Sequence, residues 1–246
     1  VPFPPLKHQF TSLLMKTSAI RMIVFDMAGT VVNEHNVVYK TLKKALGKGG
    51  YHFSLEEVLS SAGGKEKSQA INDLIHQSES PGGLSGSEVY RIFLNQLDEA
   101  YARQEVTSYP GVEALLRRLR DRNIKITLNT GYNRNTATQL LEKMNWQPGR
   151  EYDLLVTADD VANSRPAPDM IFLAMEKLGI ESASAVAKVG DSVIDIEEGQ
   201  VAGCGVTVGV TTGAHAREEL KKVEPTYILD SLENLDELLL KQKEVN

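Results

Sequence analysis

The chain has 246 residues, 41% of them apolar and 24% charged, with a net charge of −6. That size fits one large domain or a core with an insert, and the acidic balance gives no electrostatic case for nucleic acid or an anionic membrane as partner. A single cysteine, Cys204, excludes an internal disulfide, and no apolar run approaches the roughly 20 residues of a membrane span.

Residues 1–19 read as an extension outside the fold. Pro2, Pro4 and Pro5 oppose a helix, and the segment lacks the apolar block of a signal peptide, so the expected location is the cytoplasm. Met15 or Met22 is a more natural start than Val1.

Residues 22–25 form an apolar run that reads as a strand, and it ends on Asp26. A turn with Gly29 and Thr30 follows. From there to residue 108 the rhythm is helical. Val38, Leu42, Ala45 and Leu46 share a face; Leu55, Val58, Leu59 and Ala62 share another, with Ser54 as N-cap. Ile71, Leu74 and Ile75 suggest a third helix, Pro81-Gly82-Gly83 breaks the run, and Val89, Phe93, Leu97 and Tyr101 make a fourth. Residues 34–108 thus read as a small all-helical cap, hinged by crossings near Val32 and Thr107.

From Tyr109 onward helix and strand alternate. Helices are predicted from Pro110, over 137–144, 169–178, 193–202 and 232–241. Strands are predicted over 124–128, 154–156, 186–189, 206–210 and 227–229. Such alternation implies a mainly parallel sheet with helices on both faces. The predicted fold is α/β: a three-layer α/β/α Rossmann-like core of residues 20–33 and 109–246, with the cap inserted after the first strand.

Ligands of open α/β sheets sit outside the carboxyl ends of the strands. Four motifs fall there. Asp26 is the first. Thr130-Gly131-Tyr132 is the second, and its hydroxyl and backbone N–H groups can hold phosphate oxygens. In Ser164-Arg165-Pro166, Arg165 stands before a helix whose N-terminal end also favours anions. In Gly190-Asp191-Ser192-Val193-Ile194-Asp195, two carboxylates four residues apart suit Mg²⁺. Each motif alone also reads as an ordinary turn, cap or surface residue.

Together, in this order and spacing, the motifs resemble the haloacid dehalogenase superfamily of aspartate-nucleophile hydrolases. The resemblance runs from Arg21 to about residue 240. It implies that Asp26 attacks phosphorus, that Thr130 and Gly131 bind the phosphoryl group and that Arg165 neutralises it. It also implies that Asp26, Asp191 and the backbone carbonyl of Ala28 hold Mg²⁺, with Asp195 acting through a bound water. An ionised Asp26 needs no base, but it needs positive charge to approach an anionic phosphoryl group.

Most phosphatases of this superfamily carry a second Asp where this chain has Ala28. An alanine there, with Asp26-Met-Ala-Gly-Thr30 and Lys188-Val-Gly-Asp191, resembles the phosphonatase branch, which cleaves the C–P bond of phosphonoacetaldehyde through a Schiff base on a cap lysine. That lysine matches Lys67, with Lys65 as a rival. The branch's cap methionine, histidine and cysteine match Gly63, Ala70 and Asn36. The expected function is a Mg²⁺-dependent hydrolase of a small phosphonate or phosphorylated aldehyde. The alternatives are a phosphomonoesterase of the phosphoglycolate type, its acid coming from His35, Lys67 or Tyr132, and a non-catalytic phosphate binder. The expected assembly is a monomer or a cap-mediated homodimer.

Overall fold

A computed structural model describes residues 19–79 and 82–241, with side chains to Leu239. Residues 1–18 of the predicted extension, and Pro81 of the predicted break, lie outside the described residues.

Strand β1 (Met22–Asp26) is buried along its whole length. A continuous apolar run of this kind is the mark of a parallel strand covered on both faces. Next come β2 (Val32–Asn33) and four helices: α1 (Val37–Lys48), α2 (Leu55–Ala62), α3 (Lys67–Gln77) and α4 (Gly86–Arg103). Strand β3 (Thr107–Ser108) closes the insert and pairs antiparallel with β2. Then follow α5 (Val112–Asp121), β4 (Lys125–Thr130), α6 (Arg134–Lys143), β5 (Leu154–Thr157), α7 (Asp169–Leu178), β6 (Val186–Gly190), α8 (Val193–Val201), β7 (Val206–Val210), α9 (Arg217–Lys221), β8 (Tyr227–Leu229) and α10 (Leu235–Lys241).

Six strands make one sheet in the order β5-β4-β1-β6-β7-β8. Every pairing in it is parallel. The chain runs outward from β1 to β5, then returns to β1's other side as β6. The strand order therefore switches direction at β1, which is where such sheets open a crevice. Met22 and Val24 pack with α7 residues Met170, Ile171 and Ala174 on one face. Ile23 and Phe25 pack on the other, in a cluster that holds Leu115 and Leu119 of α5 and continues into the helical insert through Leu42, Phe93 and Leu97.

Local chemistry sets the boundaries. Ser54 and Ser85 each form a reciprocal capping box, with Glu57 and Glu88, at the starts of α2 and α4. Gly179 ends α7 in the left-handed conformation. Helix α5 starts at Val112, later than Pro110, because left-handed Gly111 holds the N-cap. The last helix starts at Leu235, with Leu232 in the preceding turn. No described helix is long and apolar enough to cross a membrane.

Ile23 is fully buried in the central strand. Its replacement by alanine should cost about 2–5 kcal/mol. Urea unfolding read by circular dichroism checks this; a loss below about 1 kcal/mol contradicts a close-packed β1.

Candidate active site

The sheet register assembles the site. Asp26 pairs across with Asn129 of β4, and Phe25 with Val189 of β6. Asp26, Thr130 and Asp191 therefore stand side by side at the carboxyl ends of three adjacent strands. The turn after β1 is tight. Gly29 has φ 96°, and a Cβ there would strike the Asp191 carboxylate. Thr30 Oγ1 donates to Asp191 Oδ1 at 3.2 Å, and the Ala214 N–H donates to Oδ2 at 2.5 Å. Thr130 is buried, and its Oγ1 accepts the Tyr132 N–H at 3.2 Å.

Beneath these groups runs a buried chain of charges. Arg165 Nη1 donates to Asp26 Oδ1 at 2.9 Å and also to Asp195 Oδ1. Lys188 Nζ lies 2.9 Å from Asp195 and 2.9 Å from Glu198, and donates to Asn129 Oδ1 at 2.6 Å. Asn129 Nδ2 returns a bond to Glu198 Oε1 at 2.9 Å. Arg165 Nε is buried without a partner, a donor free for a phosphoryl oxygen. Burial works against the Asp195 charge, but Lys188 and Arg165 prevail and hold its pKa at about 2. For Arg165 too the carboxylates outweigh burial and raise its pKa.

Ser192, not Asp191, is the N-cap of α8, in a capping box with Asp195. Asp195 Oδ2 accepts from Ser192 Oγ while Oδ1 takes both cations. Asp195 thus anchors Arg165, and its place is under the site. Asp26 and Asp191 are different. Burial raises both pKa values, helped at Asp26 by the Asp195 charge and at Asp191 by the charges of Asp26 and Asp195, and Asp191 lies well above the usual carboxylate range. Arg165 and Lys188 work against that rise at Asp26 and favour its carboxylate form. Asp26, Asp191 and Asp195 each offer an oxygen within 4.8 Å of one another. Among the described residues, the four buried carboxylates Asp26, Asp191, Asp195 and Glu198 share three buried cations, Arg165, Lys188 and Lys67. This excess of hard oxygen donors fits a divalent ion such as Mg²⁺.

The helical insert closes the top. Its Gly63-Gly64-Lys65 turn lies directly on the core. A Cβ on Gly131 would sit 2.8 Å from the Lys65 carbonyl oxygen, and one on Gly63 2.9 Å from His215 Cε1. Gly64 has φ 72°, and a Cβ there would strike Ser192 Oγ. His215 is buried; its Nδ1 accepts the Val193 N–H, and Nε2 lies 3.4 Å from the Ser60 carbonyl of α2.

This contact carries Lys67 into the site. Lys67 is 5% exposed, and its Nζ donates to the Lys65 carbonyl at 2.6 Å. The same nitrogen lies 5.4 Å from the Tyr39 ring centroid and 5.6 Å from that of Tyr132. Burial, aided by the Arg165 charge, lowers its pKa to about 8. Lys65, the rival, pairs instead with Asp73 at 2.8 Å. Asp26, Ala28, Lys67, Thr130, Gly131, Arg165 and Asp191 all line one nearly closed pocket, together with Gly64, Tyr39 and Tyr132, around a cavity of about 10 Å³. His35 is exposed and does not line it. Ala70 is buried within the insert. Sequence reasoning missed Asn129 and Glu198, saw Lys188 only as part of a motif, and missed Tyr39. A lysine inside an apolar strand was the available signal for buried pairing.

Comparison with known proteins follows the same lines. The family model for haloacid dehalogenase-like hydrolases matches residues 23–209. Pyrophosphatase PpaX of Bacillus pumilus is 30% identical over 224 residues, which covers 90% of this chain and 97% of that protein. Phosphonoacetaldehyde hydrolase of Bacillus cereus is 29% identical over 234 residues, covering 91% and 85%. A phosphonoacetaldehyde hydrolase-like protein from Oleispira antarctica superposes with TM-score 0.79 at 20% identity, over 93% of this chain and 94% of the other. A predicted phosphoglycolate phosphatase from Haemophilus somnus superposes with TM-score 0.72 at 22% identity, over 90% and 98%.

The buried position of Lys67 has a direct readout. An NMR titration of its ε-methylene, assigned with Lys67→Arg, should give a midpoint near 8. In Gly64→Ala, whose new methyl holds the turn off Ser192, the midpoint should rise toward the solvent value of about 10.4. A midpoint at that value in the unmodified protein contradicts the closed pocket.

Proposed function

This chain belongs to the haloacid dehalogenase-like hydrolases, and we propose that it is a Mg²⁺-dependent hydrolase of a small phosphonate or phosphorylated aldehyde, working through an aspartyl-phosphate on Asp26. One observation carries the reading. A buried amine with a pKa of about 8, Lys67, shares a small pocket with Asp26, Thr130, Arg165 and Asp191, while the acid that an ester needs is replaced by Ala28. A phosphatase protonates an alkoxide there. A lysine held partly neutral can condense with an aldehyde instead, so that the carbon leaving group departs with its electrons drawn into the imine.

The residues divide the work as follows. Asp26 Oδ attacks phosphorus as the P–C or P–O bond breaks. Arg165 holds Asp26 through Nη1 and offers its unpartnered Nε to a phosphoryl oxygen. Thr130 Oγ1 and the Gly131 N–H stand at the end of β4 as further donors. Lys67 binds or condenses with the carbonyl end. Water then attacks the phosphoryl group and releases Asp26. Asp26, Asp191 and the Ala28 carbonyl would hold Mg²⁺, whose positive charge would let an anionic nucleophile meet an anionic phosphoryl group. Much of the rate comes from such fixed charge and positioning. The pocket is nearly closed, with a cavity of about 10 Å³, so substrate entry requires the insert turn to move off the core, and such close packing favours a small substrate. A cytoplasmic location belongs to the same reading and is supported by the lone cysteine and the chemistry.

A second reading keeps the nucleophile and changes the leaving group. It is supported by the relative named as a pyrophosphatase and by the Lys67 ammonium bond to the Lys65 carbonyl. Under it, Lys67 binds an oxygen of a P–O substrate and forms no imine.

Phosphate release from phosphonoacetaldehyde and from a panel of small phosphate esters, with Mg²⁺ and with EDTA, separates the two. Selective phosphonate cleavage that falls at least about 10³-fold in Lys67→Arg is the expected result. Ester cleavage without phosphonate cleavage, little changed in Lys67→Arg, rejects the phosphonatase reading. In either case EDTA should abolish turnover.

A further inference from the structure

The reading above leaves one chemical need unmet: a proton for the leaving alkoxide of a P–O substrate, or for the enamine carbon once the P–C bond has broken, and later a base for the attacking water. Ala28 cannot serve, and neither can Ala70. The pocket wall has another connection. Tyr132 lines the pocket, and its hydroxyl lies 3.2 Å from that of Tyr101. The Tyr101 hydroxyl in turn donates to Glu34 Oε2 at 3.2 Å. Glu34, Tyr101 and Tyr132 are 2%, 1% and 4% exposed, so water is kept from all three. Glu34 accepts the Val38 N–H at 3.0 Å and sits beside the start of α1.

We propose that Glu34, acting through the Tyr101 and Tyr132 hydroxyls, is the proton store of this pocket and takes the place of the acid absent at Ala28. The inference rests on Asp26 chemistry in this pocket. Glu34 touches no substrate and is a positioning residue; Tyr132 is the group that meets the leaving group.

The balance is simple. In the first half-reaction Tyr132 gives its hydroxyl proton to the leaving alkoxide, or to the enamine carbon after P–C cleavage. Tyr101 replaces it, and protonated Glu34 replaces that of Tyr101. Glu34 ends as a carboxylate. In the second half-reaction the attacking water gives up a proton, which returns along the same bonds to Glu34. The O···O distances are the same for both directions; only the donor order reverses. Burial raises the Glu34 pKa, which keeps a proton available, while the Val38 N–H, the Tyr101 hydroxyl and the nearby Lys67 charge stabilise the carboxylate once it forms. The tyrosine hydroxyls are held far from ionisation by burial, so they relay a proton and do not store one. A residue that only capped α1 would need its bond to Val38 and none to Tyr101.

The test contrasts leaving groups. Acetate departs from acetyl phosphate without a proton. The alkoxide of phosphoglycolate needs one as its P–O bond breaks, whereas the carbon of phosphonoacetaldehyde departs into the imine and takes its proton afterwards. Wild type, Glu34→Gln and Tyr101→Phe are compared on these three substrates. Gln can still accept the Val38 N–H, and Phe keeps the ring, so a second variant is at hand if one fails to fold. The expected result is that both variants lower kcat/KM for the proton-requiring substrate relative to acetyl phosphate by about 10²-fold. Equal losses on both kinds of substrate assign Glu34 a structural role and overturn the relay. No loss on either overturns it as well, while Asp26-dependent turnover keeps the hydrolase reading intact. If Asp26→Asn retains full turnover on every substrate, both readings fall.

Discussion

Everything at the active site hangs on one buried ion pair, Arg165 with Asp26. The guanidinium is fully enclosed, and it holds the Asp26 carboxylate through a single nitrogen at 2.9 Å. It can do so because Asp195 grips the same nitrogen, Lys188 grips Asp195, and Glu198 with Asn129 satisfies Lys188. Breaking a buried pair of this kind by removing one partner typically costs about 3–5 kcal/mol, because the other charge is stranded. Each member is therefore tied to the next, and the chain ends at the one carboxylate pair, Asp26 and Asp191, that protein cations leave undersatisfied. The charge deficit sits where the proposed function would place a phosphoryl group and its cation.

The same economy explains the lid. Lys67 would be solvated on an open insert. Its low pKa and its contacts with Tyr39 and Tyr132 exist only because the Gly63-Gly64 turn can touch Gly131, Ser192 and His215. Two backbones without side chains between them bring a lysine from one element to a carboxylate at the end of another. Under the proposed function, substrate selection would lie in what surrounds Lys67, and nucleophile activation in what lies under Asp26. The two halves of the site rest on separate networks, joined across the substrate.

Much of this was legible in the sequence. An apolar run ending on Asp26, Thr130 or Asp191 announces a strand end, and strand ends of a parallel sheet converge. Capping at Ser54 was readable because Ser and Glu at N-cap and N3 act locally. The Lys67 placement followed from counting along the resemblance. What stayed hidden has a common cause. Lys188, Asn129 and Glu198 come from three elements, and nothing local marks them as partners. Glu34 opens the insert without a period to show which way it faces, and Tyr101 looked like one more apolar position on α4. Asp195 was readable as an active-site acid, but its oxygens turn out to serve Arg165, Lys188 and Ser192. Strands β2 and β3, two residues each, are too short to leave a pattern.

The central claim is that Asp26 is the nucleophile, and the most direct test is to trap the adduct. The protein is mixed with Mg²⁺ and substrate, quenched in acid during turnover, digested and sequenced by mass spectrometry. The account predicts a phosphoryl group on Asp26, absent in Asp26→Asn and discharged when substrate is exhausted. Turnover with no phosphorylated peptide, or with the group on another residue, contradicts it.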